Sequence, residues 1–226
     1  SAKVREALKK EGGAKAQGIV DGAEIVVRAR NGDEVKDAAS APDKLFAIVG
    51  LESYFFPADR IGEEFKVTIP TDDGREVTAE VVSNTPRLVR IKGFLAPEEC
   101  DAIIQESKPL MKRSTTTRMG DQRQFGSDQQ LVNDVRTSST AWMMNRSLPI
   151  IKRIDSKVEE LAKVSMSWAE NMQVLHYGHQ QHYHVHHDYF DPEVYRDDER
   201  WGSGHNRIFT VFFYLTSVEE GGETIF

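Results

Sequence analysis

All seven histidines of this 226-residue chain fall between His176 and His205, and most crowd into His179-Gln-Gln-His182-Tyr-His184-Val-His186-His187-Asp188. Imidazole nitrogen is the commonest protein metal ligand, and carboxylate is a hard oxygen donor. If the stretch is extended, side chains two apart share a face. His182, His184, His186 and Asp188 then point one way, and Tyr183, Val185 and His187 the other. A His-x-Asp pair such as His186 and Asp188 offers one nitrogen and one oxygen to a single ion. A further histidine from a distant strand would complete the two-histidine, one-carboxylate face that leaves positions open on ferrous iron. His184 with His186 is a rival pair on the same face. The spacing alone also fits adventitious zinc binding by a histidine-rich tract, or simply a polar strand face.

The elements that must position this stretch follow from periodicity and turn chemistry. Residues 2–10 suit a short charged helix ended by Gly12-Gly13. Ile25–Arg30 reads as a strand running into the turn Asn31-Gly32-Asp33, and Asp72-Asp73-Gly74 as a hairpin turn between Phe65–Ile69 and Glu76–Val82. Residues 44–56 are apolar enough for burial. Residues 1–84 are therefore expected to form a small strand-rich N-terminal module with no cluster of reactive side chains. Arg87–Leu95 opens a second region, 85–226, with a strand. Pro97-Glu98-Glu99 starts a helix whose Cys100, Ile103, Ile104 and Ser107 share a face. Residues 112–135 are polar and read as a mobile loop. Pro149 starts a second helix with the stripe Ile150, Ile151, Ile154, Val158, Leu161 and Val164. Three strands are expected after it: Asn171–Tyr177, Gln181–Phe190 and Arg207–Thr216, the last apolar on both faces like a central strand. Trp142 is expected in the core.

Composition narrows the function classes. A net charge of -7 argues against a partner held by bulk phosphate attraction, so no nucleic-acid role is expected. No apolar run is long enough to span a bilayer, and no signal-peptide pattern is visible, so a soluble protein with no membrane partner is expected. The single cysteine, Cys100, rules out an intrachain disulfide.

Five blocks in order carry a family resemblance. They are Arg87–Ile104 with Gly-Phe-Leu-x-Pro-Glu-Glu-Cys; Arg136-Thr-Ser-Ser139 with Ala141-Trp142; Gln173–Tyr177 with Tyr183–Phe190; Asn206-Arg207-x-x-Thr210-x-x-x-Tyr214-Leu215; and Val218–Thr224. Together they resemble the prolyl 4-hydroxylases, iron(II)- and 2-oxoglutarate-dependent dioxygenases. The resemblance covers residues 85–226. It implies an α+β protein: a double-stranded β-helix (jelly-roll) barrel with packing helices, preceded by the N-terminal module. It implies His186 and Asp188 as the catalytic metal ligands, and Tyr177, Tyr183 and Thr210 around 2-oxoglutarate. Arg136 is implied beside a proline-containing peptide or protein substrate, which becomes 4-hydroxyproline, with ascorbate as reductant. The 112–135 loop resembles the segment that closes over bound peptide. Three departures stand out. Val185 replaces a frequent proline before the metal histidine, Gln180-Gln181-His182-Tyr183 replaces Gly-Gln-x-Tyr, and the loop 191–206 has no counterpart. The family's second metal histidine and its cosubstrate lysine are expected beyond Phe226, and His205 is a poor substitute for the former. Two alternatives remain open: a non-catalytic metal-binding scaffold with the same fold, and an oxygenase acting on a non-proline substrate.

Overall fold

A computed structural model describes Glu6, Lys10 and residues 25–36, 46–49, 56–57, 60–115, 136–197 and 206–226. The expected helix over 2–10 falls almost wholly outside the described residues, as do most of the apolar run 44–56, His205 and positions 116–135 of the expected mobile loop. Two compact units are present: Ser1–Ala96 with Pro149–Ala169 and Phe226, and Pro97–Leu148 with Glu170–Ile225.

In the first unit, β1 (Ile25–Arg28) pairs antiparallel with β2 (Phe46–Val49). Three further strands form an antiparallel meander: β3 (Glu64–Lys66), β4 (Thr78–Asn84) and β5 (Arg87–Lys92). The β3–β4 connection carries the expected turn, with Gly74 at φ +68°, a conformation glycine adopts without strain. β5, expected to open the second region, pairs instead with β4, with Thr78 opposite Lys92. Alternation along β4 buries Ala79 and Val81 and leaves their neighbours at the surface. Helix α2 (Pro149–Ala162) belongs to this unit and buries Ile151, Ile154, Val158, Leu161 and Ala162, a stripe at helical spacing. Lys157 lies on the same buried face, and its ammonium donates to the Phe94 carbonyl at 3.2 Å. The helix ends at Lys163, whose φ is +54°.

The second unit holds α1 (Pro97–Ser107) and a three-stranded antiparallel sheet of β6 (Lys112–Arg113), β7 (Ser139–Met143) and β8 (Met172–His176), with β7 in the middle. α1 follows the expected pattern, with proline first, acids in the first turn, and Ile103 and Ser107 buried. Ala141, Met143 and Val174 form the buried face of the sheet. Trp142, expected in the core, points the other way and is 43% exposed, because alternation along β7 gives the inner face to Ala141 and Met143.

Two expected strands are not strands. Residues 181–190 contain one isolated bridge, Tyr183 to Arg136, and 207–216 contain none. A strand needs a hydrogen-bonded neighbour, and among the described residues none runs beside 207–216. In that segment half-buried and exposed residues nonetheless alternate from Val211 to Thr216. Among the described residues no helix is long and apolar enough to cross a membrane.

Candidate active site

β7 and β8 pair from Met143–Met172 to Ser139–His176, and there the ladder breaks. Gly178–Gln181 makes a turn, closed by Gln181 N–H donating to the Gly178 carbonyl at 3.1 Å and by the Gln181 side-chain oxygen accepting from Gly178 N–H at 2.7 Å. The chain then returns to the same edge. Thr137 N–H donates to the His182 carbonyl at 2.9 Å, and His182 N–H donates to Thr137 Oγ1 at 2.8 Å. This return fixes the start of the histidine stretch against the sheet.

From Tyr183 onward, side chains rather than ladder bonds define the site. The guanidinium of buried Arg136 sits 4.6 Å from the centre of the Tyr183 ring. The Tyr183 ring in turn stacks on His186, with centroids 3.9 Å apart and 27° between planes. Strict alternation placed Tyr183 and His186 on opposite faces. They meet where residues 184–187 join no strand and the chain bends at 188, so alternation does not govern their side chains. Arg136 Nε also donates to Ser138 Oγ at 3.3 Å, and Ser138 joins Ser114 (2.8 Å) and, through it, Thr140 (2.5 Å) in a buried hydroxyl chain.

His186 Nδ1 lies 2.8 Å from the His184 carbonyl oxygen. A carbonyl only accepts, so Nδ1 carries the hydrogen, and Nε2 is left to face Asp188. Nε2 lies 3.3 Å from Asp188 Oδ1. In the neutral imidazole this sets a nitrogen lone pair against a carboxylate oxygen, an arrangement a cation between them relieves. A ring N–H committed to a backbone carbonyl is also the usual support of a metal-bound histidine. The donor set thus fits a divalent ion. Asp188 Oδ2 accepts from Thr210 Oγ1 at 2.6 Å, so the Thr210 hydroxyl is directed at the carboxylate. Among the described residues no group of three His, Cys, Asp or Glu side chains converges on one point.

Burial pushes the Tyr183 phenol above its ordinary value, opposed by the nearby Arg136 charge and reinforced by Asp188 and Tyr177. Tyr177 lies just past β8 and is 41% exposed. His182 and His184 meet edge to face at 4.8 Å, and His187 stacks on Tyr189 at 4.8 Å.

Three residues given no role from sequence support the site. Arg207 pairs with Glu170, with Nε on Oε1 and NH2 on Oε2 at 2.8 Å, and its NH1 donates to the Asp188 carbonyl at 3.2 Å. The hydrogen bonds to Glu170 hold the Arg207 guanidinium above its usual value. Asn206 accepts from Phe190 N–H at 2.9 Å and donates to the Phe190 carbonyl at 2.7 Å. No local pattern announces contacts between residues this far apart in sequence.

Comparison with known proteins agrees with this geometry. Residues 172–226, which include the His186–Asp188 pair, match the model of the 2OG-Fe(II) oxygenase superfamily. The chain is 36% identical over 152 residues to prolyl 4-hydroxylase 1 of Arabidopsis thaliana, covering 66% of this chain and 50% of that protein. The chain is thus similar to the prolyl 4-hydroxylases. Prolyl 4-hydroxylase 2 of the same plant is 37% identical over 145 residues, 64% of this chain and 45% of that protein. The probable prolyl 4-hydroxylase 10 is 35% identical over 155 residues, 69% and 50% respectively. The chain thus spans about half the length of the curated relatives it matches. The superfamily match implies the fold at a coarse level, and the described residues agree with it: sheets together with the helices α1 and α2.

Proposed function

We propose that the whole protein is an iron(II)- and 2-oxoglutarate-dependent dioxygenase that hydroxylates peptidyl proline to 4-hydroxyproline. The observation that carries this reading is the His186 Nε2 to Asp188 Oδ1 approach of 3.3 Å inside the segment that matches the oxygenase superfamily. On this reading residues 85–226 are the oxygenase region, built as a jelly-roll barrel, and 1–84 form an N-terminal module.

His186 and Asp188 hold the iron through one imidazole nitrogen and one carboxylate oxygen. Iron(II) with 2-oxoglutarate and dioxygen supplies the oxidising power, with succinate and carbon dioxide as by-products and ascorbate as reductant. The protein supplies position. The His184 carbonyl sets the ring of His186, and Thr210 ties up one oxygen of Asp188 so that the other faces the imidazole. Tyr183, half-buried and kept neutral, presents a phenol suited to hydrogen-bonding a cosubstrate carboxylate, and Tyr177 lies close enough to act on it electrostatically. Arg136, expected beside the substrate, backs the Tyr183 ring, and any contact with peptide comes from the same buried position.

The test is mass spectrometry of proline-rich peptides incubated with the protein, iron(II), 2-oxoglutarate and ascorbate. Oxidised proline formed in step with succinate is expected. His186→Ala and Asp188→Ala are each expected to abolish both products, and full activity in either variant overturns the reading. Succinate without oxidised proline would shift the substrate to another residue.

A further inference from the structure

We infer that Arg207, locked to Glu170, is a positioning residue for Asp188, and that it acts together with Asn206 and Thr210. The inference rests on the reading of His186 and Asp188 as the metal pair.

The problem it solves is visible in the backbone. Past the single bridge at Tyr183, residues 184–190 join no ladder among the described residues. A metal ligand must be held to within about half an ångström of its productive position. Four hydrogen bonds from the short segment 206–210 supply such a restraint. Asn206 receives the N–H of Phe190 and donates to its carbonyl, the same two bonds that a facing residue in an antiparallel ladder would make. Arg207 NH1 holds the Asp188 carbonyl, and Thr210 holds Asp188 Oδ2. Main chain and side chain of Asp188 are therefore both pinned from one side, and Oδ1 is the oxygen left facing His186.

Arg207 is in turn anchored. Two of its nitrogens fork onto Glu170, which stands two residues before β8, so the brace is tied to the ordered sheet. Its guanidinium also lies 4.9 Å from the centre of the Phe190 ring. A planar guanidinium can serve a carboxylate, a carbonyl and an aromatic face at once, whereas a lysine ammonium cannot reproduce the fork. The Arg207 and Glu170 side chains are 34% and 40% exposed, so the ion pair adds little to overall stability. Its value lies in geometry, and that separates a positioning role from a structural one.

The test uses Mn(II) as probe, with free Mn(II) followed by electron paramagnetic resonance and thermal unfolding followed with and without the ion. The full-length protein is expected to bind Mn(II), and its His186→Ala variant to lose that binding. Arg207→Lys, Glu170→Gln and Thr210→Val are each expected to weaken Mn(II) binding by about 10- to 100-fold, the range typical of partners that orient metal ligands. Their unfolding temperatures without metal should stay near that of the unmodified chain, and Thr210→Ser should restore affinity. The Arg207→Lys, Glu170→Gln double variant should be little worse than either single one, because both break the same brace. If Arg207→Lys does not fold, Glu170→Gln and Thr210→Val decide the matter. Unchanged Mn(II) affinity in the folded variants overturns the brace while leaving the metal pair intact. Failure of the full-length protein to bind Mn(II), or equal binding by its His186→Ala variant, overturns the metal pair itself and the brace with it.

Discussion

Tyr183 lies face to face with His186, ring centres 3.9 Å apart, although the step between them is three positions, which strict alternation would send to opposite faces. The Arg136 guanidinium also lies 4.6 Å from the centre of the Tyr183 ring, and burial holds the Tyr183 phenol above the usual tyrosine range. The sign of the pH effect follows. A phenol whose folded value is raised gives stability that is fully present below the unfolded value, about 10. That stability is lost as pH rises through the folded value. Tyr183→Phe keeps the stack and removes the titration, so it should flatten part of the alkaline fall in stability. It should also remove a phenolate component above the ordinary range from the ultraviolet titration. An unchanged titration curve would contradict the burial argument. Tyr183→Ala should cost on the order of 2 kcal/mol, from the aromatic pair and the cation–π contact together.

The His186–Asp188 approach separates stability from metal binding. Both side chains are at least a third exposed, at 36% and 47%, so without metal their pairing is weak. Asp188→Ala should cost no more than about 1 kcal/mol of metal-free stability, including the bond to Thr210. The same variant should abolish the rise in unfolding temperature that Mn(II) or Fe(II) gives the unmodified chain. Calorimetric unfolding with and without metal measures both quantities. A large metal-free loss with metal binding retained would make the pair structural.

Much of the scaffold was legible in the sequence because its signals are local. Asp72-Asp73-Gly74 marked the β3–β4 hairpin, the stripe from Ile151 to Leu161 marked α2, and Pro97-Glu98-Glu99 marked the start of α1. The two-residue step from His186 to Asp188 brought the pair to notice. What local patterns cannot give is the partner of a strand. Gln181–Phe190 has the composition of a strand, but its pairing stops at Tyr183, so alternation fails there and Tyr183 swings beside His186. The Arg207–Glu170 pair spans 37 residues and leaves no mark on the sequence around either. Asn206 hydrogen-bonds the Phe190 backbone from 16 residues away and is equally silent.

Gly93 is a point where the fold tolerates no side chain. Its φ is +76°, and an added Cβ would come within 2.5 Å of the Glu76 carbonyl oxygen, a backbone atom that cannot rotate away. Gly62 has a similar φ of +80° but open space around it. The two glycines separate backbone strain from collision. Gly62→Ala should cost about 1–2 kcal/mol, the penalty of the left-handed conformation. Gly93→Ala should cost clearly more, roughly 3–4 kcal/mol, and lower the unfolding temperature by several degrees. Equal losses in urea unfolding would mean that the β5 end shifts to relieve the contact.

On the outer face of the β3–β4–β5 sheet, Lys92 lies between Glu64 (2.7 Å) and Glu80 (2.8 Å), and Arg90 also reaches Glu80 at 2.6 Å. Hydrogen bonds from Lys92 and then Arg90 hold the Glu80 carboxyl below its usual range, and bonds to Glu64 and Glu80 raise Lys92. A carboxylate with a lowered folded value contributes stability that is present above the unfolded value and lost as pH falls through the folded one. For Lys92 the direction reverses: its contribution is present below the ordinary lysine value and lost as pH rises through the raised one. Glu80→Gln should therefore flatten the acid limb of the stability curve below the ordinary glutamate range of about 4.3 and, by removing one of the two carboxylates that raise Lys92, also lessen the fall in the lysine range. High salt should reproduce part of the effect in the unmodified chain, since these groups face solvent. Urea unfolding across pH at low and high ionic strength tests this, and an acid limb that Glu80→Gln leaves unaltered would place the acid sensitivity in other carboxylates.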